Sequence, residues 1–182
     1  MSVSYIVLWL LVLSLTVFAI VLSKKPKRVL PANHTGLPVG TAFPKLQIRS
    51  VLKQIPFHVV YPEPKQTLLL FSSSHCSMCN AVYPLLPVAE QKYKLMAQVI
   101  MEPLEEGHVE SMIRKIDDFG LTAPVFELTM SIREEVKLEG YPFAYFLSSE
   151  GKVLSKGGIN RLEDIDLLVS QGRRVAMRRR AG

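Results

Sequence analysis

The stretch Thr67–Tyr93, TLLLFSSSHCSMCNAVYPLLPVAEQKY, decides how the rest of the chain is read. Thr67–Phe71 is a short apolar run, the pattern of a buried central strand. Cys76–Tyr93 is expected to be a helix, with Val82, Leu85, Leu86 and Ala89 as its apolar positions. Cys76 and Cys79, spaced C-S-M-C, therefore stand where a strand gives way to a helix. A helix N-terminus offers N–H groups without intrahelical partners and the positive end of the helix dipole. Both favour a thiolate on Cys76, with a pKa below that of a free thiol. Cys79, about one turn further in, is placed to attack a mixed disulfide on Cys76. At a strand-to-helix junction, C-x-x-C is a strong signal of dithiol exchange.

Downstream, strands and helices alternate. Ala97–Met101 reads as a second strand. Val109, Met112, Ile113, Ile116 and Phe119 fall on one helical face. Val125–Leu128 is a short strand candidate, and Ser131–Glu139 suits one or two helical turns. Phe143–Leu147 and Lys152–Ser155 flank a Ser148–Gly151 turn and predict a hairpin. Asn160, with Glu163 three residues on, suits a capping box for a last helix whose apolar face is Leu162, Ile165, Leu168 and Val169. This order predicts an α/β fold, a mixed central sheet flanked by helices.

Upstream, Val3–Leu22 (VSYIVLWLLVLSLTVFAIVL) holds no charge, Pro or Gly. Twenty residues at about 1.5 Å each span roughly 30 Å, a bilayer hydrocarbon core. Tyr5 and Trp9 suit its interface. One N-terminal transmembrane helix is therefore expected over 3–22. A cleaved signal peptide fits less well, since no Lys or Arg precedes the run and no A-x-A site follows it. Residues 23–44 read as linker and entry segment, 45–171 as the domain, and 172–182 as a basic tail. Leu46–Val51 and Phe57–Tyr61 are strand candidates.

The 182 residues are 48% hydrophobic and 21% charged, which excludes a disordered polar chain. The net charge of +6 is unevenly spread. Seven basic residues and no acid lie between Lys24 and Lys53, and five arginines lie between Arg173 and Arg180. Between Glu63 and Asp166, ten basic residues meet all sixteen acids, a net charge of −6. Basic ends on an acidic middle argue against nucleic acid and favour membrane headgroups.

Two cysteines exclude a four-cysteine zinc site, and His34, His58, His75 and His108 lack paired spacing. Asn80 follows the second cysteine where a c-type haem needs His. Copper(I), held by Cys76, Cys79, His75 and Met78, is the alternative use of the same thiols.

Strand, C-x-x-C, helix and Pro84 five residues after the second cysteine together resemble the thioredoxin superfamily. That resemblance implies a proline kink in the active-site helix and a cis-proline beside the dithiol. Tyr141-Pro142, before Phe143–Leu147, matches the latter, and Pro142 would shape the edge that receives substrate peptide. More of the chain is similar to the MauD family, membrane-anchored relatives of TlpA-like thiol-disulfide oxidoreductases. The match rests on the LW-containing apolar helix, the G-L-P-V-G-x-x-F-P segment (Gly36–Pro44), the C-x-x-C, the late G-Y-P strand, and Gly157, Gly158 and Asn160. It implies maturation of a client protein with cysteines, for MauD an amine dehydrogenase subunit. It also implies a membrane-bound electron donor or acceptor and no metal or organic cofactor. Ser77-Met78 departs from the usual dipeptide, which often contains Pro. A peroxiredoxin would need a P-x-x-x-T-x-x-C setting that the residues before Cys76 lack.

Weaker candidates surround the pair. His75 reads equally as a thiolate stabiliser and as a solvent-facing loop residue. Glu102 reads first as a surface acid, second as a proton acceptor. Glu105, Glu106 and Glu110 suit a solvated helix start. Tyr141 and Met78 are candidate client contacts. The arginine-rich tail is expected to be a disordered end, or otherwise to bind anionic lipid. The basic flank after residue 22 favours a cytoplasmic domain under the positive-inside rule. The resemblance, and the persistence of disulfides outside the cytoplasm, favour the extracytoplasmic face, which is the expectation adopted.

Overall fold

The computed structural model describes residues 3–23, 35–52, 56–58, 65–105 and 108–180. Helix α1 spans Val3–Ser23. Its side chains are described at Tyr5 and at positions 7–16, where the large apolar ones are exposed. Taken over the described residues, no helix is long and apolar enough to cross a membrane. The basic flank Lys24–Arg28 lies outside the described residues.

Strand β3 (Thr67–Ser73) is buried along its whole length. It pairs in parallel with β4 (Met96–Glu102), from Thr67↔Met96 to Ser73↔Glu102. On its other side it pairs antiparallel with β6 (Phe143–Leu147), from Thr67↔Leu147 to Phe71↔Phe143. β5 (Val125–Glu127) adds in parallel to β4, and β7 (Val153–Gly158) closes the hairpin with β6. The order β5-β4-β3-β6-β7 makes the expected mixed sheet. β1 (Gln47–Arg49) and β2 (Pro56–His58) form a separate antiparallel pair; β1 is shorter than the Leu46–Val51 candidate, and β2 overlaps the start of the Phe57–Tyr61 candidate. Residues 59–64 lie outside the description.

The period of two along β3 divides the core between two layers. Leu68 and Leu70 pack with Val99, Met101, Ala144 and Phe146 under α2 (Leu85–Tyr93), α3 (Glu110–Phe119) and α5 (Leu162–Arg180). Leu69 and Phe71 pack with Ile100, Phe126, Tyr145 and Val153 under α4 (Met130–Glu135), β1 and the entry segment. Each such side chain contributes about 1.5–3 kcal/mol by leaving water, so helices cover both faces of an uncharged central strand.

Helix ends follow local chemistry. Gly120, at φ 55°, ends α3 in the left-handed region, where its N–H and that of Leu121 satisfy the Asp117 and Ile116 carbonyls. Thr129 caps α4 through its side chain, which accepts from the Ile132 N–H. The capping box expected from Asn160 and Glu163 is shifted by one residue. α5 starts at Leu162, and the Asn160 N–H donates to Asp164 Oδ2 at 3.0 Å, so Asp164 supplies the carboxylate.

α5 also continues through the segment expected to be a disordered tail, as far as Arg180. The reason is packing at its base. Arg173 donates to the Tyr93 carbonyl (2.6 Å) and to Gln66 Oε1 (3.2 Å), and stacks over the Tyr93 ring. Gly172 lets the helix approach the sheet: a Cβ there would meet Phe146 Cδ1 at 2.5 Å and Ser155 Oγ at 2.9 Å.

The Gly36–Pro44 segment is stitched to the edge of the sheet. The Gly40 and Phe43 N–H groups donate to the Val153 and Gly151 carbonyls, and the Val153 N–H returns to the Thr41 carbonyl. Lys156 Nζ donates to the Thr35 and Gly36 carbonyls at 2.6 and 2.8 Å. Gly36 takes φ 79° and rests against Tyr145, whose hydroxyl accepts from the Leu37 N–H and donates to the Val136 carbonyl.

Candidate dithiol site

β3 hands the chain to a tight turn. The Ser74 N–H donates to the Glu102 carbonyl (2.9 Å) and the Cys76 N–H to the Ser73 carbonyl (3.1 Å). Cys76 and Cys79 are joined by a disulfide, with Cα atoms 5.4 Å apart. The two sulfurs differ in access. Cys76 is partly exposed, whereas Cys79 is 0% exposed within the helix-side core. An incoming nucleophile or disulfide therefore meets Cys76 first. The Cys79 N–H donates to Cys76 Sγ at 3.2 Å, a contact that strengthens when the sulfur carries charge.

The continuous helix expected from Cys76 to Tyr93 is broken. Met78–Ala81 is a 3-10 turn, residues 82–84 form a turn, and α2 begins at Leu85 with Pro84 at its N-cap. Pro84 lacks the N–H that an α-helix would aim at the Asn80 carbonyl, so the bonds here run three residues back, Val82 to Cys79 and Leu85 to Val82. Pro87 falls in the first turn of α2, where a missing donor costs nothing. Cys76 thus precedes a single 3-10 turn rather than a long helix, and the individual Cys79 N–H takes over much of the role assigned to a helix dipole.

The Tyr141–Pro142 peptide bond is cis. Pro142 is buried, and its carbonyl accepts from the Ile159 N–H. Because Phe143 pairs with Phe71, Pro142 lies at the same end of the sheet as the turn carrying Cys76. Cys76, Cys79 and Pro142 therefore converge on one sheet end.

His75 is exposed, and Ser73 Oγ lies 3.0 Å from its Nδ1 and 3.3 Å from its Nε2, so one ring edge faces that hydroxyl. Glu102 is neither a free surface acid nor an unpaired base: Arg133 Nη1 donates to its Oε1 at 3.0 Å. Met78 is 61% exposed beside Cys79. Glu105 faces His108 on the surface, Glu110 opens α3, and Glu106 lies outside the described residues. Tyr141 is half-buried with its ring under Arg133, and burial and then the Glu102 charge push its hydroxyl well above the usual phenol range. Burial likewise raises Tyr83, partly offset by the Ser72 hydroxyl beside it. Arg133 was not among the sequence candidates, because its partner Glu102 is 31 residues away and no local pattern joins them.

Among the described residues, no group of three or more His, Cys, Asp or Glu side chains is gathered to hold a metal. For the copper reading, no such group forms around Cys76 and Cys79, whose sulfurs here bond to each other.

No family model matches the chain, and no curated protein matches it. Solved structures do. The thioredoxin domain of a thiol-disulfide oxidoreductase from Bacteroides vulgatus superposes with a TM-score of 0.62 at 19% identity, over 76% of this chain and 99% of that one. A thiol:disulfide interchange protein of the thioredoxin family from Chlorobium tepidum gives 0.59 at 16% identity, over 75% and 98%. A secreted Mycobacterium tuberculosis disulfide oxidoreductase, homologous to Escherichia coli DsbE, gives 0.54 at 15%, over 73% and 96%. The fold is thioredoxin-like, and it carries a C-x-x-C pair at disulfide distance.

Proposed function

We propose that the protein is a membrane-anchored thiol-disulfide oxidoreductase that exchanges disulfides with a client protein through Cys76 and Cys79. The observation that carries this reading is the asymmetric pair: an accessible Cys76 bonded to a fully buried Cys79 at the end of the central strand. In the reducing direction, the Cys76 thiolate attacks one sulfur of a client disulfide, and the other client sulfur leaves as a thiolate. Cys79 then loses its proton and attacks Cys76, releasing the reduced client and closing the Cys76–Cys79 disulfide. Two electrons pass to the client, and a membrane-bound donor restores the dithiol. In the oxidising direction each step reverses, and an acceptor takes the electrons. The potentials of the partners set the direction. Pro142, at the same sheet end, shapes the edge that receives the client.

The uncharged run Val3–Leu22 and the exposed side chains of α1 support the anchor. The basic residues after it suit headgroups. The extracytoplasmic face is proposed because disulfides persist there. The Gly36–Pro44 segment and the late G-Y-P strand support a MauD-like role in client maturation, with an amine dehydrogenase subunit as the specific client class.

Thiol trapping in intact cells tests the proposal. After mild reduction, a membrane-impermeant alkylating reagent should label Cys76, and a Cys79→Ser variant should accumulate a mixed disulfide with a client. Labelling only after lysis would overturn the placement. A Cys79→Ser variant that traps no partner would overturn the exchange.

A further inference from the structure

Arg133 sits where three segments distant in sequence meet. Its Nη1 donates to Glu102 Oε1 at 3.0 Å, and its Nε donates to the Leu138 carbonyl at 3.4 Å. Its guanidinium carbon lies 5.5 Å from the centroid of the Tyr141 ring. Each contact anchors a different part of the site. Glu102 ends β4, and its carbonyl receives the Ser74 N–H from the turn that delivers Cys76. Leu138 belongs to the segment that leaves α4 through Lys137, a residue at φ 53°. Tyr141 immediately precedes Pro142. One guanidinium therefore ties the cysteine turn, through Glu102, to the Tyr141–Pro142 edge.

The side chains of Arg133 and Glu102 are 31% and 25% exposed, so water screens their attraction less than it would a surface pair. A planar, forked cation suits this place: separate N–H groups serve the carboxylate and the carbonyl while the face covers an aromatic ring. A tyrosine phenol is neutral at neutral pH, so the Tyr141 ring attracts Arg133 through its π face.

We infer that Arg133 is a positioning residue for the client-receiving edge, holding Tyr141–Pro142 at a fixed offset from Cys76. The inference rests on the exchange reading above. It separates two kinds of substrate. A small aromatic disulfide needs only the Cys76 sulfur. A polypeptide disulfide must also lay its flanking backbone along the edge, and a displaced edge weakens that binding.

The test uses the full chain in detergent: insulin is the polypeptide substrate, turned over with dithiothreitol restoring the Cys76–Cys79 dithiol and its uncatalysed rate subtracted, and 5,5′-dithiobis(2-nitrobenzoate) is the small substrate, reduced in a single turnover by protein reduced beforehand. Arg133→Met should raise KM for insulin about 5- to 30-fold, from the loss of a cation–π contact and an ion pair. It should leave kcat and the rate with the small disulfide within about twofold. Arg133→Lys should fall between, keeping the charge and losing the plane. Arg133→Met with Glu102→Gln should match Arg133→Met alone, because the pair acts as one unit. If Arg133→Met fails to fold, Tyr141→Leu removes the stacked ring and should give the same KM effect. An unchanged KM for insulin would overturn the inference, as would an equal loss with the small disulfide, which would place the effect on the thiols. A wild-type protein that reduces neither substrate would instead overturn the exchange reading.

Discussion

Replacing Gly36 with alanine separates two costs that the structure makes additive. The first is conformational. Gly36 sits at φ 79°, where an L-residue costs about 1–2 kcal/mol. The second is steric. The new Cβ would lie close against the Tyr145 hydroxyl, and 3.2 Å from Phe143 Cζ. Tyr145 is fully buried and cannot yield cheaply, because its hydroxyl donates to the Val136 carbonyl at 2.7 Å and accepts from the Leu37 N–H at 2.9 Å. Overpacking of this kind costs about 1–3 kcal/mol. The expected loss is therefore about 2–5 kcal/mol. Gly120→Ala is the internal control: φ is 55°, but nothing lies within 4 Å of the added Cβ. It should lose about 1 kcal/mol. For a domain of this size, Tm should fall by about 5–15 °C for Gly36→Ala and by about 2–4 °C for Gly120→Ala. The assay is thermal unfolding of the full chain in a mild detergent, followed by near-UV circular dichroism of the buried tyrosines. A Gly36→Ala protein no less stable than Gly120→Ala would refute the close packing of the entry segment on Tyr145.

Gly172→Ala should destabilise by up to about 2 kcal/mol, the cost of overpacking against Phe146, Leu154 and Ser155 less a helix-propensity gain of about 1 kcal/mol; a more stable variant by the same melting assay would show that α5 can move off the sheet. Burial pushes the Tyr145 hydroxyl up to about 12, although the Leu37 N–H bonded to it pulls the other way. Above pH 10 the unfolded chain gives up this proton while the folded one keeps it, so stability should be intact below pH 10 and fall between about pH 10 and 12. Tyr145→Phe should remove that part of the alkaline slope in denaturant titrations while lowering stability at pH 7 by about 1–3 kcal/mol; an unchanged slope would rule the residue out. Asp164→Ala should cost about 1 kcal/mol of stability, and Glu163→Ala only a few tenths, as read by urea unfolding. The reverse order would restore the capping box read from the sequence.

The strands were legible because they are buried on both faces and so read as unbroken apolar runs: Thr67–Phe71, Ala97–Met101 and Phe143–Leu147 lie within β3, β4 and β6. The cysteine pair was legible because its chemistry is local, two thiols one turn apart after a strand. Features decided by contacts across the fold were not. Pro84 could be seen in the sequence, but whether it kinks an α-helix or leaves a separate 3-10 turn depends on which carbonyls the neighbouring N–H groups reach. Glu163 and Asp164 are adjacent carboxylates, and the choice between them depends on whether α5 starts at Leu162 or one residue earlier. The arginines after Gln171 look like a solvated tail by composition. Arg173 is fixed by a carbonyl on α2 and a glutamine before β3, which no reading of the tail alone could supply.

The mixed direction of the sheet brings the site together. If β6 ran parallel to β3, its first residues would lie at the far end of the sheet, about 17–20 Å away for strands of this length. Pro142 could not then approach Cys76. Because β6 is antiparallel, the end of β3 and the start of β6 are neighbours, and the parallel pairing of β4 puts Glu102 at that end as well. A turn, a strand end and a strand start from three parts of the sequence thus meet around one partly exposed sulfur. The segment joining α4 to β6 enters from the opposite layer, where Arg133 donates to the Leu138 carbonyl and covers the Tyr141 ring. On the proposed reading, sulfur chemistry and client reception are separable: loss of Cys76 stops exchange with any disulfide, loss of Cys79 leaves the mixed disulfide unresolved, and changes at Arg133 or Tyr141 act on polypeptide substrates alone.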